Sequence, residues 1–209
     1  MAIGGARRAR SRSALGSFGE LVLTLGIAIG LAFLVQAFLI KPYKIPTTSM
    51  VPTLDVGQRI LVWRLDTHPG VGDIVVFHPP VGATFNGNQC AAPQQGPGHA
   101  EPCDRHSSSM SGQTFVKRVV GLPGDHLTIR DGHVDRNGVP ERGTYIQPCP
   151  TPSVCTFSQS ITVPPGEYYM MGDNRGVSDD SRFWGPIPQR WIIGVAIATY
   201  WPLDRIGTV

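Results

Sequence analysis

The chain has 209 residues, of which 41% are hydrophobic and 16% charged, enough apolar material for one folded domain with additions. Its 25 glycines and 19 prolines favour a turn-rich β fold over a helical bundle. The formal charge of +3 does not mark a basic face: Arg7, Arg8, Arg10 and Arg12 all precede the first acid, Glu20, and from Lys41 onward 14 basic residues balance 14 acidic ones, which argues against a nucleic-acid binder.

In chain order, residues 1–17 read as a basic, disordered arm. A transmembrane helix is expected over 18–40, because residues 21–40 (LVLTLGIAIGLAFLVQAFLI) contain only Thr24 and Gln36 as polar members. Twenty residues at about 1.5 Å each span the roughly 30 Å hydrocarbon core. The four arginines place the N-terminus in the cytoplasm and the rest of the chain outside it. A cleaved signal peptide with a cut after Ala37 is the rival, but Phe38-Leu39-Ile40 keep the apolar run going through that point. Residues 41–209 then form the extracytoplasmic domain.

Within that domain the runs 59–63, 73–78, 114–120, 127–130, 168–171 and 191–200 have strand character. The last is too short to be a second membrane span. Asn137-Gly138 signals a hairpin turn. Residues 81–113 and 131–163 read as insertions, the first a surface excursion and the second a small β extension. Four cysteines in an exported domain suggest two disulfides. Three pairings are possible, and loop-closure entropy favours the local ones, Cys90 with Cys103 and Cys149 with Cys155. His99 and His106 beside Cys90 and Cys103 leave zinc as a second reading, although the spacing is not a standard zinc pattern.

Three stretches carry candidate chemistry. In Ile45-Pro46-Thr47-Thr48-Ser49-Met50-Val51-Pro52-Thr53-Leu54, prolines fix the backbone on both sides of a hydroxyl cluster. A serine hydroxyl is a weak nucleophile and needs a base. In Phe115-Val116-Lys117-Arg118-Val119-Val120-Gly121-Leu122-Pro123-Gly124-Asp125, strand alternation puts Phe115, Lys117 and Val119 on one face and Arg118 on the other, so one of two adjacent cations points inward. The third, Gly172-Asp173-Asn174-Arg175-Gly176-Val177-Ser178-Asp179-Asp180-Ser181-Arg182-Phe183-Trp184-Gly185, is a polar loop between apolar strands, suited to supporting a site.

With the strand motif Gly72-Asp73-Ile74-Val75-Val76-Phe77, these blocks, in this order behind an apolar N-terminal segment, resemble the bacterial type I signal peptidases, the leader peptidase family of serine proteases. The resemblance covers 41–80, 114–130 and 163–203. It implies a mostly β fold, with antiparallel sheets forming a catalytic core and a smaller β insertion. It also implies an endopeptidase that removes signal peptides from exported preproteins, cutting after small residues at positions −3 and −1. Ser49 is the implied nucleophile and Lys117 its general base. Thr47 and the Ser49 backbone N–H are the implied oxyanion donors. Ser178 would orient the lysine, Gly172 would make a backbone contact beside it, and Asp180 and Arg182 would form a structural ion pair. Ile45, Pro46, Met50, Leu54, Phe115 and Val116 would line the substrate pockets. The expected partners are signal peptides and the lipid bilayer, with no nucleic acid, no metal and no cofactor, and the chain is expected to be a monomer. Gly176-Val177 and Asp179 depart from the family pattern. A buried lysine suits the implied chemistry, since at its ordinary pKa about one part in a thousand is neutral near pH 7.4, and burial lowers that pKa. The rivals fit less well. A self-cleaving repressor needs a DNA-binding domain, a sortase needs a catalytic cysteine, and a non-enzymatic anchored β module leaves the motif blocks without a purpose.

Overall fold

The computed structural model describes residues 14–83, 89–106 and 109–209, and it divides into two compact units between Leu39 and Ile40. The arginines of the arm, and residues 84–88 and 107–108 of the first insertion, lie outside the described residues.

The first unit contains helix α1 (Ala14–Phe38), which starts inside the stretch expected to be disordered arm. Its Phe18–Gln36 segment is long and apolar enough to cross a membrane. Leu21, Leu23, Leu25 and Ile27 are all more than half exposed, so this unit offers nothing to cover them. Thr24, one of the two polar side chains of the run, donates its hydroxyl to the Glu20 carbonyl at 2.7 Å and so needs no outside partner. The helix stops two residues short of the expected boundary. Pro42 has no N–H to give a helix and pushes Lys41 toward extended backbone. Strand β1 (Ile40–Lys44) therefore begins almost at once.

The second unit is antiparallel throughout its named strands. After β1 come β2 (Arg59–Trp63), β3 (Ile74–Phe77), β4 (Phe115–Gly121), β5 (His126–Arg130), β6 (His133–Arg136), β7 (Val139–Pro140), β8 (Ile161–Thr162), β9 (Glu167–Met171), β10 (Ile187–Pro188), β11 (Ile192–Trp201) and β12 (Gly207–Thr208). The large sheet runs β1-β2-β11-β3-β4-β9-β10, with β12 against β11, and the small one runs β7-β6-β5-β8. Pro42 is tolerated because β1 is an edge strand. Two one-turn helices complete the unit, α2 (Pro152–Cys155) and α3 (Ser181–Trp184).

All four residues of β3 are buried because both faces of the sheet are covered. Val75 and Phe77 pack with Val119, Met170, Trp184 and Trp191. Ile74 and Val76 pack on the opposite face with Ile45, Met50, Leu54, Ile60 and Val62. A third cluster, formed by Val120, Leu127, Ile129, Val134, Phe157, Tyr169 and Met171, joins β4 and β9 to the small sheet. Residues of 131–163 thus share a core with the large sheet. The two-sided cover corrects one expectation: Lys117 and Arg118 are both buried, at 4% and 8% exposure, instead of one facing water.

The first insertion is also less of an excursion than its composition implies. Cys90–Cys103 closes it with a Cα–Cα distance of 5.4 Å, and Cys103 is fully buried. Gln89 N donates to Phe183 O, Gly98 N to Ser153 O and Gln159 N to Ala100 O, at 2.8, 2.8 and 2.9 Å, tying it to α3 and α2. Cys149–Cys155 forms the other disulfide, with a Cα–Cα distance of 6.2 Å, so both pairs are the local ones.

The Asn137-Gly138 turn joins β6 to β7 with both residues at positive φ, 55° and 80°. Asp131-Gly132 does the same between β5 and β6, a turn of the same chemistry that the sequence reading passed over. Asn137 also accepts from His126 N at 2.8 Å and donates to Asp125 at 2.6 Å. Replacing it by alanine removes both bonds and leaves a side chain that resists positive φ. Asn137→Ala should destabilise the domain by about 1–3 kcal/mol in urea unfolding.

Candidate active site

The serine turn is held from beneath. Ile45, Met50 and Leu54 are buried anchors, at 2%, 1% and 1% exposure, in one apolar cluster. Ile45 N donates to Gln58 O at 2.9 Å and Gly57 N returns to Ile45 O at 2.8 Å. Between these anchors Thr48–Met50 forms a single 3-10 turn, closed by Val51 N donating to Thr48 O at 3.1 Å and Leu54 N to Met50 O at 2.9 Å. Anchors at 45, 50 and 54 leave little freedom for the residues between them.

Lys117 reaches this turn from β4. Its strand position is fixed by pairing with Val75, and its Nζ donates to Ser49 Oγ at 2.7 Å. The same contact, with the amine neutral, lets Nζ accept the serine proton. Burial lowers the lysine pKa to about 8, opposed by the charges of Asp180, Asp179 and Asp173 and assisted by Arg182. Thr47 is exposed at the rim, with Oγ1 3.3 Å from Ser49 Oγ.

The loop from Gly172 to Arg182 closes the site from the other side. Asn174 N donates to Ser49 O at 3.0 Å, and Asn174 Nδ2 to Thr48 O at 3.3 Å. A Cβ on Gly172 would lie 2.5 Å from the Ser49 carbonyl oxygen and closer still to Ser178 Oγ, so only glycine fits. Asp180 and Arg182, both fully buried, form a two-pronged ion pair with distances of 2.8 Å on each prong. Asp180 also accepts from Gly172 N at 3.0 Å, and Arg182 donates to the carbonyls of Val154, Arg175 and Ser178 at 2.9, 2.8 and 3.2 Å. Arg182 holds the Asp180 carboxyl below its usual pKa despite burial. Arg118, on the strand face opposite Lys117, makes a second such pair with Asp173, at 2.8 and 2.7 Å, and Thr53 donates to the same carboxylate. Arg118 and Asp173 are the residues that sequence reasoning missed as supports of this site. A cation adjacent to the candidate base and an acid adjacent to Gly172 were the available signals.

The cleft over Ser49 and Lys117 is lined by Ile45, Pro46, Thr47, Met50, Phe115 and Val116, with Tyr43, Thr114, Val177 and Asp179 also contributing. Leu54 is not part of this lining. It is buried in the apolar cluster that anchors the 3-10 turn. Ser178 also departs from expectation. Its hydroxyl is buried against Gly172 and has no hydrogen-bond partner among the described residues, so it does not bond Lys117, whose amine is turned to Ser49.

Breaking a buried ion pair from one side strands the remaining charge. Asp180→Ala should therefore cost about 3–5 kcal/mol in denaturant unfolding. Asp55→Ala, which removes the solvent-exposed partner of Arg205 at 3.1 Å, should cost under about 1 kcal/mol.

The sequence has counterparts among known proteins. The family model "Signal peptidase, peptidase S26" matches residues 18–201. A protein of Synechocystis sp. named "Probable signal peptidase I-1" is 36% identical over 191 residues, covering 90% of this chain and 85% of its own. Signal peptidase I of Leptolyngbya laminosa is 36% identical over 191 residues, with 90% and 82% covered. Signal peptidase I of Pseudomonas aeruginosa is 30% identical, with 86% and 72% covered. The match spans the serine turn, β4 and the Gly172–Arg182 loop together, and the chain belongs to the signal peptidase family, peptidase S26, as a serine endopeptidase.

Proposed function

We propose that this chain is a membrane-anchored signal peptidase I that removes signal peptides from exported preproteins, with Ser49 as nucleophile and Lys117 as general base. The observation that carries this reading is the 2.7 Å contact between Lys117 Nζ and Ser49 Oγ at the floor of an apolar cleft, with the lysine pKa lowered to about 8. A base of that pKa has a substantial neutral fraction near neutral pH.

In the first step Lys117 takes the hydroxyl proton as Ser49 Oγ bonds to the scissile carbonyl carbon, and the carbonyl oxygen becomes an oxyanion. The Ser49 N–H and Thr47 Oγ1 are the proposed donors to that charge. Collapse breaks the C–N bond, and Lys117 returns the proton to the departing amine, leaving the signal peptide esterified to Ser49. Water, deprotonated by the same lysine, then hydrolyses the ester. Gly172 lets the supporting loop approach, the Asp180–Arg182 pair stiffens it, and Ser178 fills the space over Gly172.

The strand pairing supports an extended substrate. β4 pairs with β3 through Phe115–Arg118, but its pairing with β9 begins at Arg118. Among the described strand pairs, Phe115, Val116 and Lys117 thus have one edge open beside residues 45–47, suited to a peptide adding as a strand. Ile45, Pro46, Met50, Phe115 and Val116 give that strand shallow apolar walls, which suit small side chains at −1 and −3. α1, with the arginine-rich arm before it, is the proposed anchor. It holds the N-terminus in the cytoplasm and the catalytic domain outside, where the cleavage point of a translocated preprotein emerges.

Full-length protein in detergent and a model preprotein with alanine at −1 and −3 provide the test. Ser49→Ala and Lys117→Ala should each abolish cleavage while keeping the fold, and the double variant should be no worse than either. kcat/KM of the wild type should rise with pH through about 8, where Lys117 loses its proton. Substantial cleavage by folded Lys117→Ala would end this assignment.

Thr47 tests the oxyanion role separately. Thr47→Ala and Thr47→Val should each lower kcat by about 10²–10³, with a smaller effect on KM, while Thr47→Ser keeps most activity. High activity in Thr47→Val would mean that the residue only shapes the turn.

A further inference from the structure

Asp179 is a buried cleft residue whose chemistry the roles above leave unused, whereas Lys44 and Thr48 at the same cleft are exposed. It lines the cleft beside Lys117 and Ser49, and also a second cavity bounded by Val154, Ser178 and Phe183. The residue is 8% exposed, and both carboxyl oxygens are sealed from solvent; among the described residues the donor directed at them is the Trp184 indole N–H, which falls short of hydrogen-bond geometry. Its neighbour Asp180 gives its oxygens to Arg182 and Gly172 N, and Asp173 gives its oxygens to Arg118 and Thr53. Asp179 has neither a cation bonded to it nor a cap to form. A carboxylate left this way is costly to ionise, so a purely structural acid would be expected to have found a donor.

The charges around it come from three elements. Asp180 repels it from its own loop. Lys117 attracts it from β4. Arg182, with the indole N–H of Trp184, attracts it from α3, although Trp184 Nε1 does not reach hydrogen-bond geometry among the described residues. Lys117 in turn is faced by Asp180, Asp179, Arg182 and Asp173. Asp180 is tied to Arg182 and Asp173 to Arg118 in close pairs. Asp179 and Lys117 line the same cleft and feel each other's charge, with no ion pair between them.

We propose that Asp179 is a positioning residue that sets the charge on Lys117: its otherwise unpartnered carboxyl, when ionised, holds the lysine as an ammonium ion and so limits the neutral amine available to Ser49. This rests on the reading of Lys117 as the base. Burial and then the repulsion of Asp180 raise Asp179 to about 7, while burial lowers Lys117 to about 8. As pH rises, the acid ionises first, and its new negative charge pushes loss of the lysine proton to higher pH. The two sites thus titrate as a coupled pair. Removing the carboxylate should let Lys117 lose its proton at lower pH, extending activity toward acid. A residue that only packs against the cleft wall would change the rate at every pH alike.

The chain has three lysines, Lys41, Lys44 and Lys117, so ¹³Cε-lysine NMR of the full-length protein in detergent gives three resonances, with the Lys117 signal identified by its loss in Lys117→Ala. In the wild type that signal should show two inflections, near 7 and near 8. In Asp179→Asn it should show one, displaced downward by about half a pH unit or more, and the acid limb of kcat/KM should move with it, about a threefold gain in activity relative to the plateau on that limb. Asp179→Ala carries the same expectation if the asparagine variant does not fold, and the wild-type titration needs no variant. A single inflection in the wild type, or an unchanged Lys117 midpoint in a folded variant, would overturn the proposal. The NMR titration reads the lysine proton directly, so it decides this point whatever the activity of Lys117→Ala says about the base.

Discussion

A lysine side chain is useful as a base only where water cannot keep it charged, and such a place is hostile to every other polar group near it. That constraint organises this domain. Lys117 is 4% exposed, on a strand whose neighbours are buried on both faces. The cover comes from Val75, Phe77, Trp184 and Trp191 on one side and from the anchors of the serine turn on the other. Without both layers the amine would be hydrated and held near its ordinary pKa. With them, burial outweighs three nearby acids and lowers it to about 8.

The polar groups close to this site are arranged to limit the cost. Asp180 is matched by Arg182, and Asp173 by Arg118, each pair two-pronged and nearly free of solvent. Such pairs contribute little net stability compared with apolar packing, but each is costly to break from one side. They hold the loop by its backbone: Arg182 bonds three carbonyls, and Asp180 bonds the Gly172 N–H. The segment 147–155 adds a buttress, since Val154 supplies one of those carbonyls and Gln147 N donates to Asp173 O at 2.9 Å. Gly172 then lets this rigid loop come within a methyl group's width of the Ser49 carbonyl. The proposed chemistry thus depends on a lysine placed by sheet packing and a serine placed by a loop of paired charges.

Much of this was legible in the sequence, and what escaped has definite causes. The strand runs were visible because β-branched and aromatic residues cluster there, and Asn137-Gly138 announced its turn by its need for positive φ. The disulfide pairs followed from four cysteines in an exported domain and the lower entropy cost of closing short loops. The burial of both Lys117 and Arg118 was not legible, because alternation assumes one wet face and this sheet has none near β4. Leu54 was expected in the pocket through the family resemblance, and because an apolar residue near a nucleophile serves equally well as wall or anchor, only the packing under the 3-10 turn separates the two. The described part of residues 81–113 looked loose by composition, but its bonds to α2 and α3 run through backbone atoms, which composition does not reveal. The role expected of Ser178 came from the family resemblance alone, and the lysine amine is directed to Ser49.

The central claim is that a buried, readily neutralised lysine activates Ser49. Its most direct test is the labelling rate of the full-length protein by a peptidyl fluorophosphonate with alanine at the positions equivalent to −1 and −3, followed by peptide mapping. The account predicts one stable adduct, on Ser49, formed at a rate that climbs with pH through about 8 and lost in Lys117→Ala. An adduct on another residue, or labelling of Ser49 that proceeds unchanged without Lys117, would contradict it.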